Sequence, residues 1–443
     1  MVNLNRRRVL KGIGAAGIAG LAGCSGGGGD GSGGSDGGDG SSGSGGDGSG
    51  GSDGSDGSSG TTTGSTGPME ITLGVFTPQS GPFAPWGPTL PTGAKLAKQD
   101  LESELDVSLT INTYDTKTSA SGALDAMKRA VTADGIDFAQ GGISSSVCTK
   151  IGTWASDNNV SYIGQGASDS LRGSDCQPFM YMVYQTNHMM ATTIGREMAD
   201  LTDKWYLLYA DYIWGHNARD VVGAAVEDSG ASVVGKDATP FPNDDYTQYI
   251  NNVANSDAEG VALLIPGPDA SRAVKQMRNQ GLDDVMIGAH MLEDMVFWGL
   301  DHEAASMVDV ASMGWVNSID GAQEFNQRVV EAGELDPFAR HAKAYTSTDQ
   351  QVRAAVRAGS TDAAAIRDEL EGHEVQSKAK AIHGGGKMYW RACDHELVTP
   401  VVTGEALATD QMQDDPFKQW FGVKGTTPGD DVARACEDTG CEL

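Results

Sequence analysis

From residue 68 onward, short apolar runs alternate with longer stretches in which apolar residues recur at helical spacing. Residues 71–77, rich in large apolar side chains and closed by the turn Pro78-Gln79-Ser80-Gly81-Pro82, read as a buried strand. The spacing predicts helices over 91–105, 120–133 and 144–158, with strands over 108–115, 138–142 and 161–164 between them. The same rhythm restarts with strands over 205–209, 231–238, 261–265 and 285–288, alternating with helices over 215–228, 246–255 and 270–280. Strands of this length separated by helices indicate βαβ units and parallel sheets. Two successive sets imply an α/β fold of two Rossmann-like lobes, with ligands expected in the cleft at the carboxyl ends of the strands.

Ahead of this pattern, residues 25–67 contain only Gly, Ser, Asp and Thr. A stretch with nothing apolar to bury stays disordered, and 43 such residues have an r.m.s. reach of roughly 35 Å. The first 23 residues differ again. Asn5-Arg6-Arg7-Arg8-Val9-Leu10-Lys11 precedes a Gly- and Ala-rich apolar run ending Leu21-Ala22-Gly23-Cys24. That run is about half the ~20 residues a membrane span needs, so it reads as a signal segment. The arrangement resembles a twin-arginine export signal joined to a lipobox. The resemblance implies that Cys24 is the lipid-modified first residue of the mature protein, tethered to the extracellular face of the cytoplasmic membrane. Gly12-Ile13-Gly14-Ala15-Ala16-Gly17 fits a dinucleotide fingerprint but follows no strand, so no cofactor is expected.

The remaining length of about 375 residues exceeds what one hydrophobic core usually serves, in keeping with two lobes. The formal charge of −29 becomes −33 once Arg6, Arg7, Arg8 and Lys11 leave with the signal. This argues against nucleic acid or anionic lipid as a partner. It resembles the acidic surfaces of proteins from salt-loving archaea, where salt screens self-repulsion. Besides Cys24 there are Cys148, Cys176, Cys393, Cys436 and Cys441. Outside the cell disulfides are permitted, and the expected pairs are Cys148 with Cys176, and Cys393 with Cys436 or Cys441. No histidine is placed by sequence to activate Cys148 as a nucleophile. No cysteine or histidine spacing suggests a metal site, and neither a nucleophile elbow nor a P-loop occurs in the mature chain.

A family likeness runs through most of the mature chain. Ile71-Thr72-Leu73-Gly74-Val75 with Gln79-Ser80-Gly81-Pro82-Phe83-Ala84, then Gly93-Ala94-Lys95-Leu96-Ala97, opens it. Gly141-Gly142-Ile143-Ser144-Ser145-Ser146, Gly166-Ala167-Ser168 and Phe241-Pro242-Asn243-Asp244-Asp245-Tyr246 continue it. Arg391-Ala392-Cys393-Asp394-His395 and Gly440-Cys441 close it. Taken in order, these resemble the extracellular solute-binding proteins of branched-chain amino acid ABC importers. The resemblance implies a type I clamshell crossed three times by the chain, with lobe one over 69–188 plus 316–383 and lobe two over 189–315 plus 384–443. It implies a monomer that binds a small solute, performs no catalysis and hands its cargo to permease and ATPase subunits.

Candidate ligand contacts follow. Ser144, Ser145 and Ser146 lie where a strand ends and a helix begins, so backbone N–H groups and the helix dipole favour an anion there. The resemblance implies a grip on the solute's α-carboxylate; the plainer reading is an N-cap. Gly166 and Ser168, after the next strand, match positions that accept hydrogen bonds from the α-ammonium, although a simple turn would look the same. Trp86 and Trp214 match rings that close over the ligand, and both could instead be interlobe core. Amino-acid receptors of this family neutralise the ammonium with a second-lobe carboxylate. In Gly288-Ala289-His290-Met291-Leu292-Glu293-Asp294 the matching residue is His290, which carries no negative charge, with Glu293 or Asp294 as substitutes. That departure leaves a branched-chain or related amino acid beside an amide, urea or aromatic acid as the solute. An enzyme and a ligand-sensing receptor are the other readings of the chain.

Overall fold

A computed structural model describes residues 67–333 and 335–443; the signal segment, Cys24 and nearly all of the tether lie outside the described residues. The first lobe is built from β1 (Met69–Thr77), α1 (Thr89–Glu104), β2 (Val107–Asp115), α2 (Ala120–Thr132), β3 (Phe138–Gly141), α3 (Ser145–Asp157), β4 (Ser161–Gly164) and β5 (Met180–Met182). Its sheet is parallel throughout, in the order β2-β1-β3-β4-β5. Every residue of β3 and β4 is buried, as expected when helices cover both faces of a parallel sheet.

The second lobe repeats the plan. It runs through α4 (Asn187–Leu201), β6 (Lys204–Ala210), α5 (Ile213–Asp228), β7 (Ser232–Thr239), α6 (Thr247–Ala254), β8 (Gly260–Leu264), α7 (Pro268–Asn279), β9 (Met286–Ala289), α8 (His302–Ala305) and β10 (Val310–Met313). The order β7-β6-β8-β9-β10 mirrors that of the first lobe, and two antiparallel strands extend the β10 edge. The strands and helices expected from spacing are all present, with ends shifted by one or two residues.

The rest of the chain is shared. α9 (Gln323–Ala332), α10 (Ala339–Ala358), α11 (Ala363–Leu370) and α12 (Lys378–Ile382) return to the first lobe, where α10 packs along α1. That packing needs a glycine, because a Cβ on Gly93 would collide with the His341 carbonyl oxygen. A hairpin of β11 (Tyr389–Trp390) and β12 (Leu397–Val398) follows. β13 (Val401–Ala406) and β14 (Phe421–Thr427) complete the second sheet, and α13 (Gly429–Val432) packs on α4. Glu396 bridges to Met182 at the β5 edge, which keeps the hairpin with the first sheet.

One expected disulfide is corrected. Cys176 joins Cys441, Cys393 joins Cys436, and Cys148 is a free thiol. Cys148 lies on the inner face of α3, packed with Val147, Ile151 and Tyr162, and its Sγ donates to the Gly142 carbonyl at 3.4 Å. It is wholly buried, whereas Cys176 stands in a partly exposed loop that the C-terminal tail reaches. Among the described residues no helix is long and apolar enough to cross a membrane, and no group of His, Cys, Asp and Glu could hold a metal ion.

Candidate functional site

In a sheet of order 2-1-3-4-5 the chain leaves neighbouring strands in opposite directions between the first and third strands, and a crevice forms at their carboxyl ends. Both lobes have this switch point, and the two face each other. From the first lobe come Phe83 and Trp86 after β1, Ile143 and Ser145 after β3, Ala167 after β4, and Arg340 at the start of α10. From the second come Tyr212 and Trp214 after β6, Ile265 to Gly267 after β8, and His290 to Glu293 after β9. Together they enclose a cavity of ≈ 40 Å³, measured as the space open to a water's centre. That is room for about three waters.

The walls are mostly aromatic and apolar. A run of rings passes from Trp86 to Phe83 (4.7 Å between centroids), across the lobes to Phe241 (5.2 Å), then to Tyr212 (5.3 Å) and Trp214 (6.2 Å). The indole N–H groups of Trp86 and Trp214 are buried and find no acceptor in the protein. Into this setting the chain places one ion pair. Arg340 Nε lies 2.6 Å from Glu293 Oε1, and both side chains are buried. Arg340 Nη1 also donates to the Gln165 carbonyl at 2.7 Å, and its guanidinium lies 4.3 Å over the Tyr184 ring. The Tyr184 hydroxyl donates to Glu293 Oε1 at 3.3 Å. Burial pushes the Glu293 carboxyl above its ordinary range, while Arg340 and the Tyr184 hydroxyl pull it back.

His290 is held as a neutral ring. The Asn187 amide donates to the Trp214 carbonyl (3.1 Å) and to Asn217 Oδ1 (2.8 Å), which leaves its own oxygen to accept from His290 Nε2 at 3.0 Å. The Ser312 hydroxyl serves His290 Nδ1 at 3.4 Å, and burial lowers the ring's pKa to about 3. Both ring nitrogens are therefore engaged by the protein. The ring contributes a face, stacked 5.9 Å from Trp214.

Of the residues singled out from sequence, Trp86, Ser145, Trp214 and His290 line the cavity, and so does Glu293. The others do not. Ser144 and Ser146 bond each other through their hydroxyls at 3.0 Å, and neither caps α3 with its side chain. The Gly166 carbonyl accepts from Arg172 Nη1 at 2.8 Å. Ser168 is buried, its hydroxyl 3.3 Å from that of Ser170 and its N–H donating to Ser145 Oγ. Asp294 is also buried, with burial pushing its carboxyl well above the usual range, and it stands outside the lining. Sequence reasoning missed Arg340, Phe83 and Tyr212 as cavity residues. The signal for Arg340 is a helix carrying Arg340, His341 and Lys343 in its first turns where polar residues would ordinarily face water; all three are buried.

A family model for periplasmic binding proteins matches residues 70–411. The Leu/Ile/Val-binding protein homolog 3 of Brucella melitensis biotype 1 is 21% identical over 329 residues, covering 71% of this chain and 84% of that protein. The crystal structure of a periplasmic binding protein from Burkholderia mallei superposes with a TM-score of 0.76 at 21% identity, over 84% of this chain and 99% of the other. An R. palustris ABC transporter solute-binding protein in complex with benzoate gives 0.71 at 18% identity, over 84% and 100%. With the match covering the first sheet, all but the last strand of the second and every loop of the cavity, the chain belongs to the periplasmic binding protein family.

Proposed function

We propose that this protein is the extracellular solute-binding component of an ABC importer, anchored through Cys24 after twin-arginine export and working as a monomer. It captures a small amino acid between its lobes and presents it to a permease driven by ATPase subunits. The observation that carries this reading is the cavity itself, which both lobes build and which sets one cation and one carboxylate among apolar walls. Glu293 supplies the second-lobe carboxylate that His290 does not. A solute touching both lobes binds best when they are together, so closure follows from differential affinity. The Leu/Ile/Val-binding relative supports the solute class. The relatives that the chain matches are solute-binding proteins of transporters, which supports a role in binding rather than catalysis.

A second reading, an aromatic acid, draws on the ring-lined walls, the two unpartnered indole N–H donors and the benzoate-bound relative. Thermal unfolding of the protein in molar salt separates the two. The panel is leucine, isoleucine, valine, phenylalanine, small amides, urea and benzoate. A solute at 100 times its dissociation constant adds roughly 2.7 kcal/mol, a melting shift of at least ~1–2 °C. Shifts with amino acids support the first reading, and shifts confined to benzoate replace it with the second. No shift with any member removes both.

A further inference from the structure

Resting on the amino-acid reading, we infer that Arg340 and Glu293 are an exchangeable charge lock that sets specificity for solutes carrying both an anionic and a cationic group. Arg340 is the specificity-determining residue on the first lobe and takes the solute's carboxylate. Glu293 on the second lobe takes its ammonium.

Arg340, a cation in the first turn of α10, opposes the helix dipole, so helix stability does not explain it. Two anchors fix the side chain, the Gln165 carbonyl and the Tyr184 ring, and neither carries charge. Its counter-charge comes from the opposite lobe. Among the residues lining the cavity Arg340 and Glu293 are the only two of formal charge, because burial holds His290 neutral. Two buried groups beside the pair do not substitute. Burial pushes the Asp294 carboxyl well up, and it pushes the Lys343 ammonium, 5.2 Å from the Tyr184 ring, well below its usual range.

In such a site the number of unpaired buried charges decides the outcome. A solute with a carboxylate and an ammonium replaces each partner with an equivalent one, and every charge stays paired. A monocarboxylate that takes Arg340 strands Glu293, and a monoamine that takes Glu293 strands Arg340. Leaving one member of a buried pair without its partner is strongly unfavourable. The lock thus rejects half-matched solutes by the charge they leave behind. The tight pairing of the two residues makes each the other's stand-in for one end of the solute. It also ties the two lobes at the point where the solute would bridge them.

The test is calorimetric titration of the full chain with three isosteric probes. These are leucine, isocaproate (leucine without its ammonium) and isopentylamine (leucine without its carboxylate). The wild type should bind leucine on the order of 100-fold more tightly than either analogue. Glu293→Gln should weaken leucine and improve isocaproate relative to it, so that the preference collapses or reverses. Arg340→Gln should do the same for isopentylamine. A double variant, Glu293→Gln with Arg340→Gln, removes both charges and should fold even if a single variant does not; it should lose the preference for leucine over both analogues. The inference is overturned if the wild type binds isocaproate as tightly as leucine, or if the variants keep the wild-type order of preference. Binding of benzoate with none of leucine, isoleucine, valine or phenylalanine defeats the amino-acid reading itself, and this inference with it.

Discussion

Gly267 is the place where one methyl group should distinguish folding from closure. It stands on the second lobe before α7, with φ +70° and ψ −156°, a region that is essentially glycine-only. A Cβ there would lie 2.7 Å from Cη2 of Trp86, which belongs to the first lobe. Gly267→Ala therefore carries two separable costs. The backbone strain, about 1–3 kcal/mol, is present wherever the lobes stand and should lower the melting temperature by a few degrees. The contact with Trp86 exists only while the lobes meet, and relieving it means moving a buried indole or the Pro266-Gly267 loop. Overpacking of this kind costs about 1–3 kcal/mol, or roughly 5- to 150-fold in the dissociation constant of a captured solute. The assay pairs thermal melts with titration of the best solute of the panel, for Gly267→Ala alone and combined with Trp86→Leu. Shortening the indole should return part of the affinity lost through Gly267→Ala and none of the melting temperature lost through strain. If Gly267→Ala lowers the melting temperature yet leaves affinity intact in both backgrounds, this account of closure is wrong.

Three further outcomes are expected. Gln185→Leu should destabilise the protein by about 1–3 kcal/mol for each carbonyl left unpartnered, because Gln185 Nε2 donates to Gly314 O (3.1 Å) and Pro400 O (2.8 Å); denaturant melts measure it, and a change under about 0.5 kcal/mol refutes it. Removing the Cys176–Cys441 disulfide should cost more than removing Cys393–Cys436, since their sequence separations are 265 and 43; chain entropy gives about 5–6 against about 4 kcal/mol, and paired serine variants compared by melting would expose a reversed order. Burial lowers the His290 pKa from 6.5 to about 3, so the unfolded chain takes up the proton first as pH falls. Stability tied to that ring is complete above about pH 6.5 and is lost progressively toward pH 3, by up to ~5 kcal/mol. His290→Gln should flatten the stability–pH curve over this window, leaving the same-signed contribution of His341, whose pKa burial also lowers to about 3; an unchanged slope counts against the assignment.

What could be read from the chain follows from how local each signal is. Fully buried strands such as β8 announce themselves by unbroken apolar runs, and helices by spacing, so two α/β lobes were legible without any contact being known. Trp86 and Trp214 were legible because each comes in the connection or first helical turn beyond its strand's carboxyl end, and strand ends at a switch point face the cleft. Arg340 was not. It reaches the cavity through α10, which arrives from a late segment and packs on α1, and no periodicity says which neighbour a helix will choose. The expected Cys148–Cys176 pair failed for the same reason. Cys148 and Cys176 are close in sequence, but one faces the core from α3 and the other waits in a loop for a tail 265 residues away. The serine loop shows the converse error, since three adjacent hydroxyls suggested one shared role and the helix turn sends only Ser145 to the cavity.

The ion pair and the hinge meet in two consecutive residues, and this gives the lobes a physical means of acting together. Tyr184 and Gln185 stand in the first passage between lobes. The Tyr184 ring lies under the Arg340 guanidinium and its hydroxyl reaches Glu293, so any exchange of partners in that pair changes what Tyr184 touches. Gln185 binds the carbonyls of Gly314 and Pro400, one in each of the other two passages. A buried amide that holds both gives up two hydrogen bonds if the passages separate, and none if they turn as a unit. Opening by rotation of all three passages together is therefore the less costly motion. Because the first passage carries both residues, the group that touches the pair is one peptide bond from the group that ties the hinge.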